Sequence, residues 1–147
     1  MSYLPRGKIV VTVVNAEGKA VFEPDLKVET KQLESGAVLR RIFSISQVPV
    51  PGINYDAAHD TAGIANETGC EWLECEMPPG VKSPMHATPS IDFGTILTGE
   101  ITLILDSGEE RTLRKGDFYI QKGTSHAWEN RGSEPARFAT FLAASRP

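Results

Sequence analysis

The chain has 147 residues and a formal net charge of −4 at pH 7, with 40% hydrophobic and 23% charged residues. This length fits one domain that buries about two thirds of the surface of its unfolded chain. The acidic balance, without a basic stripe, argues against nucleic acid as a partner. No membrane is expected, because no apolar stretch approaches the roughly 20 residues that span a bilayer, and the lack of a signal-peptide pattern predicts a cytoplasmic protein.

The first part of the chain, 1–70, is predicted to supply strands and a long loop that pack on the rest of the domain. Short β-branched runs predict strands over 8–14, 20–22 and 38–45, with a turn at 15–18. The stretch 47–69 is too rich in Pro, Gly, Asn and Asp for regular structure, and a long loop of this kind is often functional. Its histidine, His59, either closes over a pocket as part of a lid or lies in solvent.

The second part, 71–147, is predicted to form the core of a barrel. Strands are predicted over 71–77, 91–97, 100–105, 111–113, 118–121, 126–130 and 137–142. Their tight connections favour antiparallel neighbours, so the sequence predicts an all-β barrel or sandwich. Cys70 and Cys75 would lie on opposite faces of one strand, and we expect two reduced thiols rather than a disulfide.

Two of the three histidines stand near polar partners in this second part. Alternation along extended segments brings His86, Thr88 and Asp92 toward one side, and places His126 and Trp128 on a common face. Two imidazoles and a carboxylate suit divalent iron, manganese, zinc or nickel. A pocket without metal, in which His86, Asp92 and His126 act as acid and base, is equally compatible with these residues.

The same alternation predicts the other walls of a pocket for a small organic molecule. Phe118 and Ile120 share one face of their strand, and together with Thr88 and Trp128 they are the predicted substrate-binding residues.

The glycines around these residues resemble the two motifs of the cupin superfamily. Gly80, His86, Thr88, Asp92 and Gly99 keep the spacing of the first motif, with Thr88 in place of the second histidine and Asp92 in place of glutamate. The second motif is matched by Gly116, Gly123, His126 and Asn130, with Gln121 where proline is expected. The resemblance implies a single double-stranded β-helix, or jelly-roll, barrel with N-terminal strands added to the sheet. It also implies a homodimer formed through the strand at 8–14.

By resemblance, we expect a lyase, either a dehydratase or a decarboxylase, that acts on a small carboxylated or hydroxylated metabolite. His126 would be the base, His86 the acid or a metal ligand, and Asp92 an orienting group or ligand. An iron-dependent dioxygenase and a non-catalytic module that binds or senses a metabolite are the alternatives.

Overall fold

The computed structural model describes residues 4–52 and 67–146. Within these ranges the chain forms eleven β-strands and no helix. The strands are β1 (Thr12–Val14), β2 (Ala20–Phe22), β3 (Thr30–Gln32), β4 (Val38–Ile45), β5 (Cys70–Met77), β6 (Ser90–Thr98), β7 (Glu100–Leu105), β8 (Glu110–Arg114), β9 (Phe118–Lys122), β10 (His126–Glu129) and β11 (Ala136–Ala144). No described segment could therefore cross a membrane as a long apolar helix.

The strands pair into a larger and a smaller antiparallel sheet. The larger sheet has the order β3-β4-β5-β11-β6-β9, the smaller has the order β10-β7-β8, and β1 forms a separate pair with β2. The segment before β6 runs antiparallel to β10, through bridges from Lys82 to Glu129 and from His86 to His126. This segment thereby adds an edge to the smaller sheet.

One buried core joins the two sheets. Met77, Phe138 and Tyr119 from the larger sheet pack with Ile101 and Trp128 from the smaller one. The rings of Trp128 and Phe138 lie with their centroids 4.8 Å apart. Because alternate strand residues face inward, the polar side chains of the same faces lie beside this apolar core.

The all-β prediction is confirmed, including a strand at each place expected after residue 70. The strand expected at 8–14 is limited to Thr12–Val14 and does not join the larger sheet; β3 and β4 are the N-terminal strands that do. Sequence analysis missed β3 because its residues are polar and exposed. Cys70 and Cys75 are both free, and His59 lies outside the described residues.

Candidate functional site

A cavity of about 330 Å³ opens into the barrel beside the buried core. Most of its wall is apolar, with contributions from Leu39, Leu73, Met77, Trp128, Phe138 and Leu142. A polar cluster of five residues also lines it, namely His86, Thr88, Asp92, Gln121 and His126. An apolar cavity with a few convergent polar groups is the usual form of a site for a small organic molecule.

Main-chain pairing brings the two histidines of this cluster together. The backbone N–H of His86 donates to the carbonyl of His126 at 2.9 Å, and the N–H of His126 donates to the carbonyl of His86 at 2.9 Å. Residues paired in this way present their side chains on the same face of a sheet. The two imidazole rings therefore lie side by side, with their centroids 4.4 Å apart.

Each imidazole is held in one orientation by a backbone carbonyl. His86 Nδ1 lies 2.8 Å from the oxygen of Pro84, and His126 Nδ1 lies 2.9 Å from the oxygen of Thr124. Since a carbonyl oxygen only accepts, both Nδ1 atoms carry hydrogen, and in the neutral ring Nε2 holds the free lone pair. Both histidines are thus arranged to accept a proton at Nε2.

Burial and charge adjust the proton affinity of His126. Burial lowers the pKa of His126 because the imidazolium ion is poorly solvated there, and the neighbouring His86 lowers it further. The bond to the Thr124 carbonyl and the negative charge of Asp92 act in the opposite direction, but the pKa remains below its ordinary value. At neutral pH His126 is therefore an unprotonated base.

Asp92 lies on β6 and is nearly covered. Its Oδ1 accepts a hydrogen bond from the Ser90 hydroxyl at 2.5 Å, and the Ser90 and Thr88 hydroxyls are 2.7 Å apart. Burial raises the pKa of Asp92, while the Ser90 bond, both histidines and the Thr88 hydroxyl lower it by smaller amounts. Thr88 occupies the position of the second histidine in the first cupin motif. Its hydroxyl and that of Ser90 form hydrogen bonds that hold the Asp92 carboxylate in place.

The prediction that Phe118 and Ile120 line the pocket is wrong. Both lie on the outer face of β9, where Phe118 is 80% exposed and Ile120 is 69% exposed. In the register between β6 and β9, Gln121 is opposite Asp92 and Tyr119 is opposite Gly94. Opposite residues share a face, so Tyr119 and Gln121 point inward.

Gly94 is needed for this inward arrangement. A Cβ atom at position 94 would lie 2.5 Å from the ring of Tyr119 and 2.4 Å from the carbonyl oxygen of Ala139. Tyr119 and Gln121 line the cavity although neither is predicted from the sequence as a cavity residue. The replacement of the expected motif proline by Gln121 was a signal that could have identified one of them.

The predicted three-residue metal site is not assembled. Among residues 4–52 and 67–146, no group of three or more His, Cys, Asp and Glu side chains is placed to hold a metal ion. His86 and His126 are adjacent, but the Asp92 carboxylate is engaged by the hydroxyls of Ser90 and Thr88. The donor set in this arrangement does not fit the predicted centre, and we derive no step through a metal.

Cys75 also lines the cavity, but its thiol is not an activated nucleophile. Burial raises the pKa of Cys75 to about 12, with Glu76 and Glu74 adding to the effect. Because the thiolate is the reactive form, this cysteine contributes an apolar surface at neutral pH.

Comparison with known proteins agrees with this fold. The family model described as a cupin domain matches residues 73–142. The cupin-domain-containing oxidoreductase fogC of Aspergillus ruber is 35% identical over 141 residues, which cover 90% of this chain and 70% of fogC. The cupin-domain-containing oxidoreductase virC of Hypocrea virens is 33% identical over 148 residues, covering 93% of this chain and 75% of virC.

A solved structure gives the same result for the fold alone. The polyketide cyclase RemF of Streptomyces resistomycificus superposes with a TM-score of 0.58 at 17% identity, over 82% of this chain and 76% of RemF. Together with the two relatives and the geometry of the barrel, these matches show that the chain belongs to the cupin family.

Proposed function

We propose that the protein is a lyase that moves protons on a small organic metabolite held in the barrel cavity. The observation that carries the proposal is the pair of adjacent imidazoles, each fixed at Nδ1 by a backbone carbonyl and each lining a largely apolar cavity. Fixed orientation and exclusion of water are what general acid–base catalysis requires of its side chains.

His126 is the proposed base. In a dehydration, its Nε2 takes the proton from the carbon next to a carbonyl group, and the electron pair of that C–H bond forms a carbon–carbon double bond. The C–O bond of the neighbouring carbon breaks, and the leaving hydroxyl receives a proton from His86 and departs as water. In a decarboxylation, the C–C bond to the carboxylate breaks instead, and His86 protonates the carbon that remains.

The two histidines suit unequal roles. When His86 carries a proton, its positive charge lowers the pKa of the adjacent His126, so the pair holds one acid and one base at the same time. Asp92 stabilises the positive charge that His126 acquires as it takes the substrate proton, because its carboxylate raises the pKa of that imidazole. Asp92 therefore supports the protonated pair while its own position is fixed by Ser90.

Oxidation of the substrate is a second candidate, favoured by the names of fogC and virC, which are called oxidoreductases. Oxidation needs redox chemistry that side chains lack, so its test includes added iron(II). The two candidates differ in their products, since a lyase releases water or carbon dioxide from the substrate and consumes no oxygen.

The test is product analysis with purified protein and a panel of β-hydroxy ketones and β-keto acids, starting with the aldol adduct of benzaldehyde and acetone. Mass spectrometry should show loss of one water or one carbon dioxide with wild-type protein. His126→Gln should abolish the loss of water, and Phe118→Ala, a change on the outer face, should leave product formation unchanged.

Two results would decide against the lyase, and a third would decide against the role of His126. Oxygen uptake after addition of iron(II), with an oxidised product, would favour the oxidoreductase. Ligand binding that depends on His86 and His126 without any product would favour a binding module. Equal product formation by wild type and His126→Gln would remove His126 from the reaction.

A further inference from the structure

We propose that the cavity selects a neutral, largely apolar molecule whose hydroxyl groups donate to Gln121 and Asp92. The inference rests on the proposed function, because it concerns the same cavity, and it narrows the substrate from a carboxylated or hydroxylated metabolite to a hydroxylated one. Three features support it, namely an unpartnered acceptor, the absence of lysine and arginine from the described lining residues, and the aromatic wall.

The unpartnered acceptor belongs to Gln121. Its side chain lines the cavity and the residue is only 5% exposed, yet its Oε1 has no hydrogen-bond partner within residues 4–52 and 67–146. Buried polar atoms almost always have partners, and exceptions in native proteins call for a specific explanation. A ligand hydroxyl that donates to the carboxamide would provide the missing partner.

Gln121 stands directly beside the carboxylate. It is opposite Asp92 in the pairing of β6 with β9, so the two side chains project from neighbouring strands on the same face. The Asp92 carboxylate can only accept while it is ionised, as can the free Nε2 of a neutral histidine. The polar end of the cavity therefore offers several acceptors to a ligand that brings hydrogen-bond donors.

No lysine or arginine offsets these acceptors. Of the described residues that line the cavity, none is lysine or arginine, and the positive charge of the proposed acid His86 faces the carboxylate of Asp92. A ligand carboxylate would therefore leave water without a lysine or arginine to pair with, and beside the like charge of Asp92, which is unfavourable in an apolar cavity. This charge pattern favours dehydration of a hydroxylated substrate over decarboxylation of a free acid.

The wall next to the polar residues is aromatic. The rings of Tyr119 and Trp128 have centroids 4.9 Å apart, and Trp128 continues this surface to Phe138. The Tyr119 hydroxyl bonds to Thr140, so this ring presents an apolar surface to the cavity. A ligand with an aromatic or conjugated body and a hydroxyl at one end matches both the aromatic wall and the hydrogen-bond acceptors of the cavity.

The test measures binding, with no turnover required. Wild-type protein is titrated with three ligands, and binding is followed by two-dimensional NMR. The ligands share an ethylphenyl group: para-ethylphenol adds a hydroxyl donor, ethylbenzene adds no polar group, and para-ethylbenzoate adds an anionic carboxylate. We expect para-ethylphenol to bind about tenfold more tightly than either of the others, which corresponds to one good hydrogen bond. The side-chain amide signals of Gln121 should shift only with the phenol.

Variants assign the effect to Gln121. Gln121→Met keeps the length of the side chain. It should weaken the binding of para-ethylphenol about tenfold and change the affinity for ethylbenzene by less than about twofold. Phe118→Ala should leave all three affinities unchanged, because Phe118 lies outside the cavity.

The ranking of ligands on the wild type decides the proposal even if a variant does not fold. Binding of para-ethylbenzoate as tight as that of the phenol, or the absence of binding by all three compounds, would overturn it. If the ligands rank as expected but no catalytic product forms, the proposed lyase is contradicted and this inference stands. If a product forms but the ligands do not rank as expected, this inference is contradicted and the proposed lyase stands.

Discussion

Replacement of Gln121 by methionine is expected to stabilise the protein in the absence of ligand. The buried Oε1 of Gln121 has no hydrogen-bond partner among the described residues, and leaving such an atom unsatisfied costs about 1–3 kcal/mol. Methionine has a similar length and no strong polar atom, so it removes this cost without opening a large cavity. For a domain of this size, each kcal/mol raises the melting temperature by about 2–4 °C.

Asn130 provides a matched control, because it is a buried amide with its bonds made. Its Nδ2 donates to the carbonyls of Met77 and Glu134, each at 2.8 Å, and its Oδ1 accepts from the N–H of Gly132 at 2.9 Å. Asn130→Leu loses three hydrogen bonds and leaves backbone groups unsatisfied, so we expect a loss of about 3–5 kcal/mol. The two substitutions should therefore change stability in opposite directions.

Urea denaturation followed by fluorescence measures both changes, with the midpoint converted through the slope of the transition. Para-ethylphenol at saturation should stabilise the wild type more than Gln121→Met, because only the wild type gains a partner for Oε1. If Gln121→Met lowered the free energy of unfolding by more than about 1 kcal/mol, Gln121 would be a structural residue with a satisfied amide, and the reasoning would be refuted.

Four further predictions concern the site and the assembly. Asp92→Asn should keep the fold but lower kcat at least about 100-fold, measured by product formation, because the protonated imidazole loses its counter-charge; intact turnover would remove Asp92 from the scheme. Since burial and His86 lower the pKa of His126, against the opposing effect of Asp92, the base form should persist as pH falls below the ordinary histidine value of about 6.5, and kcat/KM should decline only at lower pH. Cys75, with its pKa raised to about 12, should resist iodoacetamide at pH 8 in the folded protein and react once urea unfolds it, as mass spectrometry would show. Light scattering should give the mass of a homodimer, and a monomer at working concentration would contradict the assembly expected from the cupin resemblance.

The strands after residue 70 could be predicted because their boundaries are local features. Turn residues such as Gly99 and Gly108, both with positive φ, separate short apolar runs and mark each hairpin. The spacing of His86, Asp92 and His126 likewise follows from motif positions that lie on two neighbouring segments.

The inward face of β9 could not be predicted from its own residues. Phe118, Tyr119 and Ile120 are consecutive and apolar, so alternation does not distinguish the two faces of this strand. The register with β6 determines which face of β9 points inward, since it places Gln121 opposite Asp92 and Tyr119 opposite Gly94. Pairing between strands distant in sequence is a tertiary property, as is the contribution of Leu39 on β4 to the cavity wall.

The hydrogen-bond partners of Asp92 could not be predicted from the sequence either. Whether its carboxylate faces a metal or the hydroxyls of Ser90 and Thr88 depends on side-chain geometry, which the motif spacing leaves open. In the structure those hydroxyls hold it, and the histidine pair becomes the central chemical feature of the cavity.

Deuterium incorporation tests the central claim most directly, since it reports proton abstraction by His126 itself. A neutral β-hydroxy ketone is incubated with the protein in deuterated buffer, and proton NMR follows the signal of the carbon next to the carbonyl group. Our account predicts exchange or elimination with wild type and Phe118→Ala, and background exchange alone with His126→Gln. Exchange at the same rate with wild type and His126→Gln would contradict it.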